Sequence, residues 1–160
     1  DASMPNLTGD VTTVEGAVAT TIGADKVLLS MVAPAAKTEA IGIACGDETT
    51  VLSVADGVTE FQLPYGFELT SVRATLTTAG TTSGVTTIDI EDDGASIFAT
   101  LLTIDATEKT STSAATAFDF TASASSLTLG DGSVMKINVD VLSGGATEAG
   151  LKIWLIGYQT

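Results

Sequence analysis

Met135-Lys136-Ile137-Asn138-Val139-Asp140-Val141 alternates apolar and polar residues without a break. A strict period of two marks a β-strand with one buried and one solvated face. The same pattern recurs upstream, where Val72, Ala74 and Leu76 alternate with Ser71, Arg73, Thr75 and Thr77. Ile88 and Ile90 precede Asp93-Gly94, and Ile97, Ala99 and Leu101 follow it. Asp-Gly between alternating runs predicts a two-residue hairpin turn, because both central positions need φ above zero. Gly130-Asp131-Gly132 predicts a second turn before the Met135 strand.

Shorter strand candidates are Ile41 to Cys45, Thr49 to Val54, Thr59 to Leu63, Ile104 to Thr110 and Ala117 to Phe120, with Leu151 to Tyr158 last. Short strands rich in Thr, Val and Ile, separated by Gly, Asp and Ser turns, predict an all-β fold, a β-sandwich of jelly-roll-like type, over residues 41–160. The last strand departs from simple alternation. Leu151, Ile153 and Leu155 form one apolar face, and Trp154, Ile156 and Tyr158 form another beside Lys152. Such a strand lies centrally between two layers or lends its second face to another subunit.

Residues 1–40 read differently. All eight aromatic residues lie after residue 60, and the first quarter is mostly Thr, Ala, Gly and Val. It predicts an extended N-terminal arm, Pro5 to Ile22, whose Val11, Val14, Val18 and Ile22 are the candidate anchoring residues. A short helical or irregular piece follows from Asp25 to Val32 and stops at Pro34. Val27, Leu28, Met31 and Val32 make an apolar stripe over about two turns, and so short a helix must pack on something, its own domain or identical stripes of neighbouring chains.

The 160 residues carry six Lys and Arg against twenty Asp and Glu, a net charge of −14, and Arg73 is the sole arginine. That balance argues against nucleic acid and anionic membrane surfaces as partners, both of which need a basic face. The apolar stretch Val27 to Ala36 is about half the length that crosses a bilayer, so no membrane insertion is expected. No basic and apolar leader pattern follows Asp1, and the expectation is that nothing in the sequence directs export. Cys45 is the single cysteine, which rules out an internal disulfide and reads as a small buried residue.

Histidine is absent, and with it the commonest general base and every Ser-His or Cys-His arrangement. No catalytic residue and no cofactor site is expected. Asp89, Glu91, Asp92 and Asp93 are a candidate calcium site by their hard oxygens, although the spacing is not that of an EF-hand loop and a solvated hairpin tip accounts for the same residues. Asp47 and Glu48 read as a second solvated tip. Tyr65, Trp154 and Tyr158 are the aromatics that could stack on a sugar, against core or interface packing of the same rings.

From Ile41 to Tyr158 the chain resembles a β-sandwich domain of tailed-bacteriophage virion proteins, the head-fibre, tail-fibre and decoration type. The matching residues are Asp47-Glu48-Thr49-Thr50, the run Thr59-Glu60-Phe61-Gln62-Leu63-Pro64-Tyr65-Gly66-Phe67-Glu68-Leu69-Thr70, and Val72-Arg73-Ala74-Thr75-Leu76-Thr77-Thr78-Ala79. Leu102-Thr103-Ile104-Asp105, Glu108-Lys109-Thr110-Ser111 and Gly150-Leu151-Lys152-Ile153-Trp154-Leu155-Ile156-Gly157 continue it. Gln62 stands where relatives carry a basic residue. Leu7-Thr8-Gly9-Asp10-Val11-Thr12 is similar to the repeat openings of phage fibres. The resemblance implies a non-enzymatic structural protein of the virion surface, a trimeric head fibre or capsid decoration protein attached by its arm. The alternative it implies is a tail-fibre or receptor-binding domain that recognises a host surface glycan. In the homotrimer the candidate subunit interface is Val27, Leu28, Met31, Val32, Trp154, Ile156 and Tyr158, and the further partners are capsid or tail proteins.

Overall fold

Two antiparallel sheets carry the apolar rows. In the computed structural model, which describes residues 11–12, 21–22 and 31–160, the chain divides into two compact units, Asp1–Ala36 and Lys37–Thr160. In the second unit the strands run β3 (Glu39–Ala44), β4 (Ala55–Gln62), β5 (Phe67–Thr75), β6 (Val85–Asp92), β7 (Ala95–Ser96), β8 (Phe98–Thr100), β9 (Leu102–Asp105), β10 (Asp119–Phe120), β11 (Leu127–Leu129), β12 (Val134–Val141) and β13 (Lys152–Gln159). The first sheet has the order β11-β5-β13-β3. The second has β4-β12-β6, with β7 and β9 both pairing the far side of β6. Leu69, Val72, Ala74, Ile153 and Leu155 of the first sheet join Ile88, Ile90, Leu102, Ile104, Met135, Ile137 and Val139 of the second in one hydrophobic core. The fold is all-β and sandwich-like.

The strongest sequence signals translate directly. Met135, Ile137 and Val139 are fully buried, and Asp93 and Gly94 have φ of 49° and 85° in a tight hairpin that sets Asp92 opposite Ala95. Val141 departs from its row: β12 shifts register against β6 between Val139 and Val141, and the bulge turns Val141 out to 48% exposure. A second bulge, opposite Ile156 and Gly157, skips Thr70 of β5. It brings the β5 backbone so close that a Cβ on Gly157 would lie 2.0 Å from the Glu68 carbonyl oxygen.

Several expected elements are corrected. Thr49 to Val54 is no strand, because the Asp47 carboxylate captures the Thr49 and Thr50 amides at 2.7 and 2.6 Å and folds them into a turn. After the hairpin the run through Ile97, Ala99 and Leu101 breaks. Ile97 is buried as the alternation expects, but Phe98 is buried beside it, with ring centroids 5.5 Å from Phe118 and 6.1 Å from Phe120, Ala99 is exposed, and the chain rejoins β6 at Leu102. The strand expected from Ile104 to Thr110 ends at Asp105. Pro34 opens the helical turn Pro34–Lys37, as a proline with its preset φ does at the first helical position, and most of the piece expected from Asp25 to Val32 lies outside the described residues.

In the first unit, β1 (Val11–Thr12) and β2 (Thr21–Ile22) pair antiparallel, Val11 opposite Ile22. The rest of the run expected from Pro5 to Ile22 lies outside the described residues. Val14, Val18, Val27 and Leu28 lie outside the described residues. Among the described residues no helix is long and apolar enough to cross a membrane.

The loop after β12 is fastened by a buried carboxylate. Glu148, with no exposed surface, accepts hydrogen bonds at Oε1 from the Thr86 hydroxyl at 2.8 Å and the Ser143 amide at 2.9 Å, and a third from the Ser143 hydroxyl. Burial opposes its ionisation, but the bonds from Ser143, its own amide and Thr86 outweigh that and hold its carboxyl below the ordinary range. Cys45 is buried too, and burial pushes its thiol up to about 11 against a hydrogen bond with Thr59, which disfavours the reactive thiolate at neutral pH.

Candidate functional site

β13 lies between β5 and β3, so its inward residues Ile153 and Leu155, with Leu151 just before the strand, fill the core and Lys152, Trp154, Ile156 and Tyr158 point outward. Register sets what surrounds each. Trp154 stands between Gly42 of β3 and Arg73 of β5, and Ile156 between Ala40 and Ser71. Trp154 is 40% exposed.

Gly42 determines how the indole lies. A Cβ built on Gly42 would be 2.7 Å from Trp154 Cζ3 and 3.0 and 3.1 Å from Cε3 and Cη2. The two ring neighbours are almost as near as Cζ3, so that point lies over the ring face and not off its edge. The indole is therefore seated flat on the glycine backbone with its other face turned away from the sheet. Gly42→Ala is expected to lift the ring into solvent and shift its emission to the red. Because only a side-chain tip must move, the stability change should stay within about 1 kcal/mol, and unchanged emission and quenching would overturn the seat.

A groove of about 370 Å³ runs alongside, lined by Ala40, Arg73, Thr75, Thr110, Thr112, Trp154 and Ile156. Its far rim is the one-turn 3-10 helix Ser111–Ser113, whose start is fixed by the Thr112 amide donating to Thr110 Oγ1 at 3.2 Å. The two threonine hydroxyls are 2.9 Å apart. Arg73 is exposed and enters no ion pair among the described residues, whereas Lys152 pairs with Glu48 at 2.7 Å and Lys136 with Asp56 and Glu91. The chain matches no protein family, no curated protein and no solved structure.

The other candidate residues are placed as follows. Tyr158 carries Lys37 Nζ 4.6 Å above its ring, and Tyr65 is half-buried, its hydroxyl pushed above the usual tyrosine range by burial and by Glu39. Met31 is 66% exposed and Val32 half-buried. Of the calcium candidates, Asp89 and Glu91 share the outer face of the second sheet, Asp92 falls on the opposite face with Ile90, and Asp93 accepts from the Val134 amide at the turn. Among the described residues no three His, Cys, Asp or Glu side chains are grouped as metal ligands. Lys136 stands in the acidic face instead, 2.8 Å from Asp56 and 2.7 Å from Glu91, and those contacts hold its ammonium above the usual lysine range. Burial and the neighbouring Asp89, Asp56 and Glu91 raise Asp140.

Gly42, Thr110 and Thr112 were not singled out by sequence reasoning. Gly42 had a signal, a glycine inside the apolar run Ile41-Gly42-Ile43, which marks a close approach. The threonines had none, since they are brought to β5 by long-range contacts, the isolated bridge of Thr75 and Thr110 and the Ser111 hydroxyl that accepts from the Ala74 amide.

Proposed function

We propose that the protein is a non-enzymatic structural protein of a tailed-phage virion surface, a homotrimeric head fibre or capsid decoration protein attached through residues 1–40. The strand order carries the reading. β3-β13-β5-β11 in one sheet and β4-β12-β6 with β9 on its far side in the other support a jelly-roll reading, since successive strands change sheets except at the hairpin of β6 and β9. Jelly rolls occur among viral capsid proteins, as they do among lectin domains and cupins. The acidic outer face of the second sheet supports a body that stays soluble on the outside of a particle.

The candidates for the threefold contact are Val27, Leu28, Met31 and Val32 with Trp154, Ile156 and Tyr158, and the exposure of Met31 and Trp154 supports the reading; light scattering should report three times the 16.1 kDa of one chain. Deleting residues 1–32 should leave a folded β body with a nearly unchanged melting temperature that no longer joins particles. A truncated protein that still decorates particles would overturn attachment by the arm, and a stable monomer of the full chain would overturn the trimer.

A further inference from the structure

Three features converge beside Trp154. The indole offers one open face, because the other is seated on Gly42. Next in register stands Arg73, the sole arginine. In a chain with twenty carboxylates it makes no ion pair among the described residues. The hydroxyl-bearing Thr75, Thr110 and Thr112 complete the groove, whose volume of about 370 Å³ lies in the range of small-molecule sites.

Each feature selects part of a ligand. A flat open indole takes the apolar C–H face of a pyranose ring. An unpaired guanidinium takes a planar carboxylate through two parallel hydrogen bonds. Threonine hydroxyls both donate and accept, which suits sugar hydroxyls. The protein's net charge of −14 penalises multiply charged guests and leaves a single carboxylate the least opposed. We propose that this groove binds a hexuronic acid residue of a polysaccharide, its ring stacked on Trp154, its carboxylate on Arg73 and its hydroxyls on the threonine rim. The site is independent of where on a particle the protein sits and of how many copies assemble, provided that this face stays open.

Trp154 is the chain's single tryptophan, so its fluorescence and its indole N–H resonance report the groove without labelling. The full chain is titrated with glucuronate, glucose, acetate and adenosine monophosphate. Glucuronate should shift both signals saturably in the millimolar range, and glucose and acetate should bind at least roughly tenfold more weakly. Arg73→Gln, at an exposed position that should leave the melting curve unchanged, should reduce glucuronate to the level of glucose. Increasing salt should weaken glucuronate and leave glucose unaffected. Equal affinity for glucuronate and glucose, no saturable response to glucuronate, or tighter binding of the nucleotide would each overturn the proposal. So would an indole shielded from acrylamide in the assembled protein, which would assign the face to a second copy of the chain.

Discussion

Glu148→Ala should destabilise the fold by about 3 kcal/mol, read as a lower denaturant midpoint and a melting temperature roughly 6–12 °C lower. The substitution strips the acceptor from the Thr86 hydroxyl and from both donors of Ser143. A buried donor left unsatisfied costs about 1–3 kcal/mol; the two hydroxyls lose this acceptor outright, and the Ser143 amide keeps only a long 3.4 Å contact to Thr86 Oγ1. Part of that loss is offset, because Glu148 Oε2 is itself buried without a partner. The pH dependence has a fixed sign. The carboxyl is held lower in the folded chain than its unfolded value of about 4.3, so its contribution is complete above that value and is lost as pH falls below it. Glu148→Gln, which keeps one acceptor, should cost less at neutral pH and flatten the acid side of the profile. An alanine variant as stable as the parent would show that the loop after β12 is held by other contacts.

Gly157→Ala should be as damaging for a steric reason. Its Cβ would fall 2.0 Å from the Glu68 carbonyl oxygen, 2.9 Å from the Glu68 carbonyl carbon and 2.7 Å from Phe67 Cε1. Two of these are backbone atoms of a paired neighbouring strand, so β5 and β13 must separate where the bulge has drawn them together. The expected cost is about 3 kcal/mol, at the upper end for overpacking. Gly42→Ala is the control, since it adds the same methyl group on the same sheet against a ring tip that is free to move. Equal denaturant midpoints for the two variants would refute this account of the bulge.

Much of the body could be read from local pattern, and the failures share a cause. Period two placed Met135, Ile137 and Val139 in the core because each residue's fate depended on its own strand. Val141 failed because the bulge belongs to the pairing of β12 with β6, which lies some fifty residues upstream. Thr49 to Val54 failed because a side chain, that of Asp47, took the amides a ladder would have used. Phe98 escaped because its partners Phe118 and Phe120 arrive twenty residues later. The candidate site divides in the same way. The second apolar face of β13 was visible in Trp154, Ile156 and Tyr158, whereas the seat on Gly42 and the neighbour Arg73 depend on long-range register that spacing does not encode.

The central place of β13 also sets a timetable. β3 finds its ladder partner in β13, and β13 is also what joins β3 to β5. During synthesis the ribosome therefore delivers both flanking strands long before the one between them. Until residues 152–159 have emerged, Ile41, Ile43 and Val72 border an empty slot, and no partial chain can close the first sheet. Pairings so distant in sequence make folding slow, and the waiting strands are exposed meanwhile to association with other nascent chains. The protein is thus committed to closing in one late step, and any assembly that uses the first sheet's outer face has to wait for the last strand to be made.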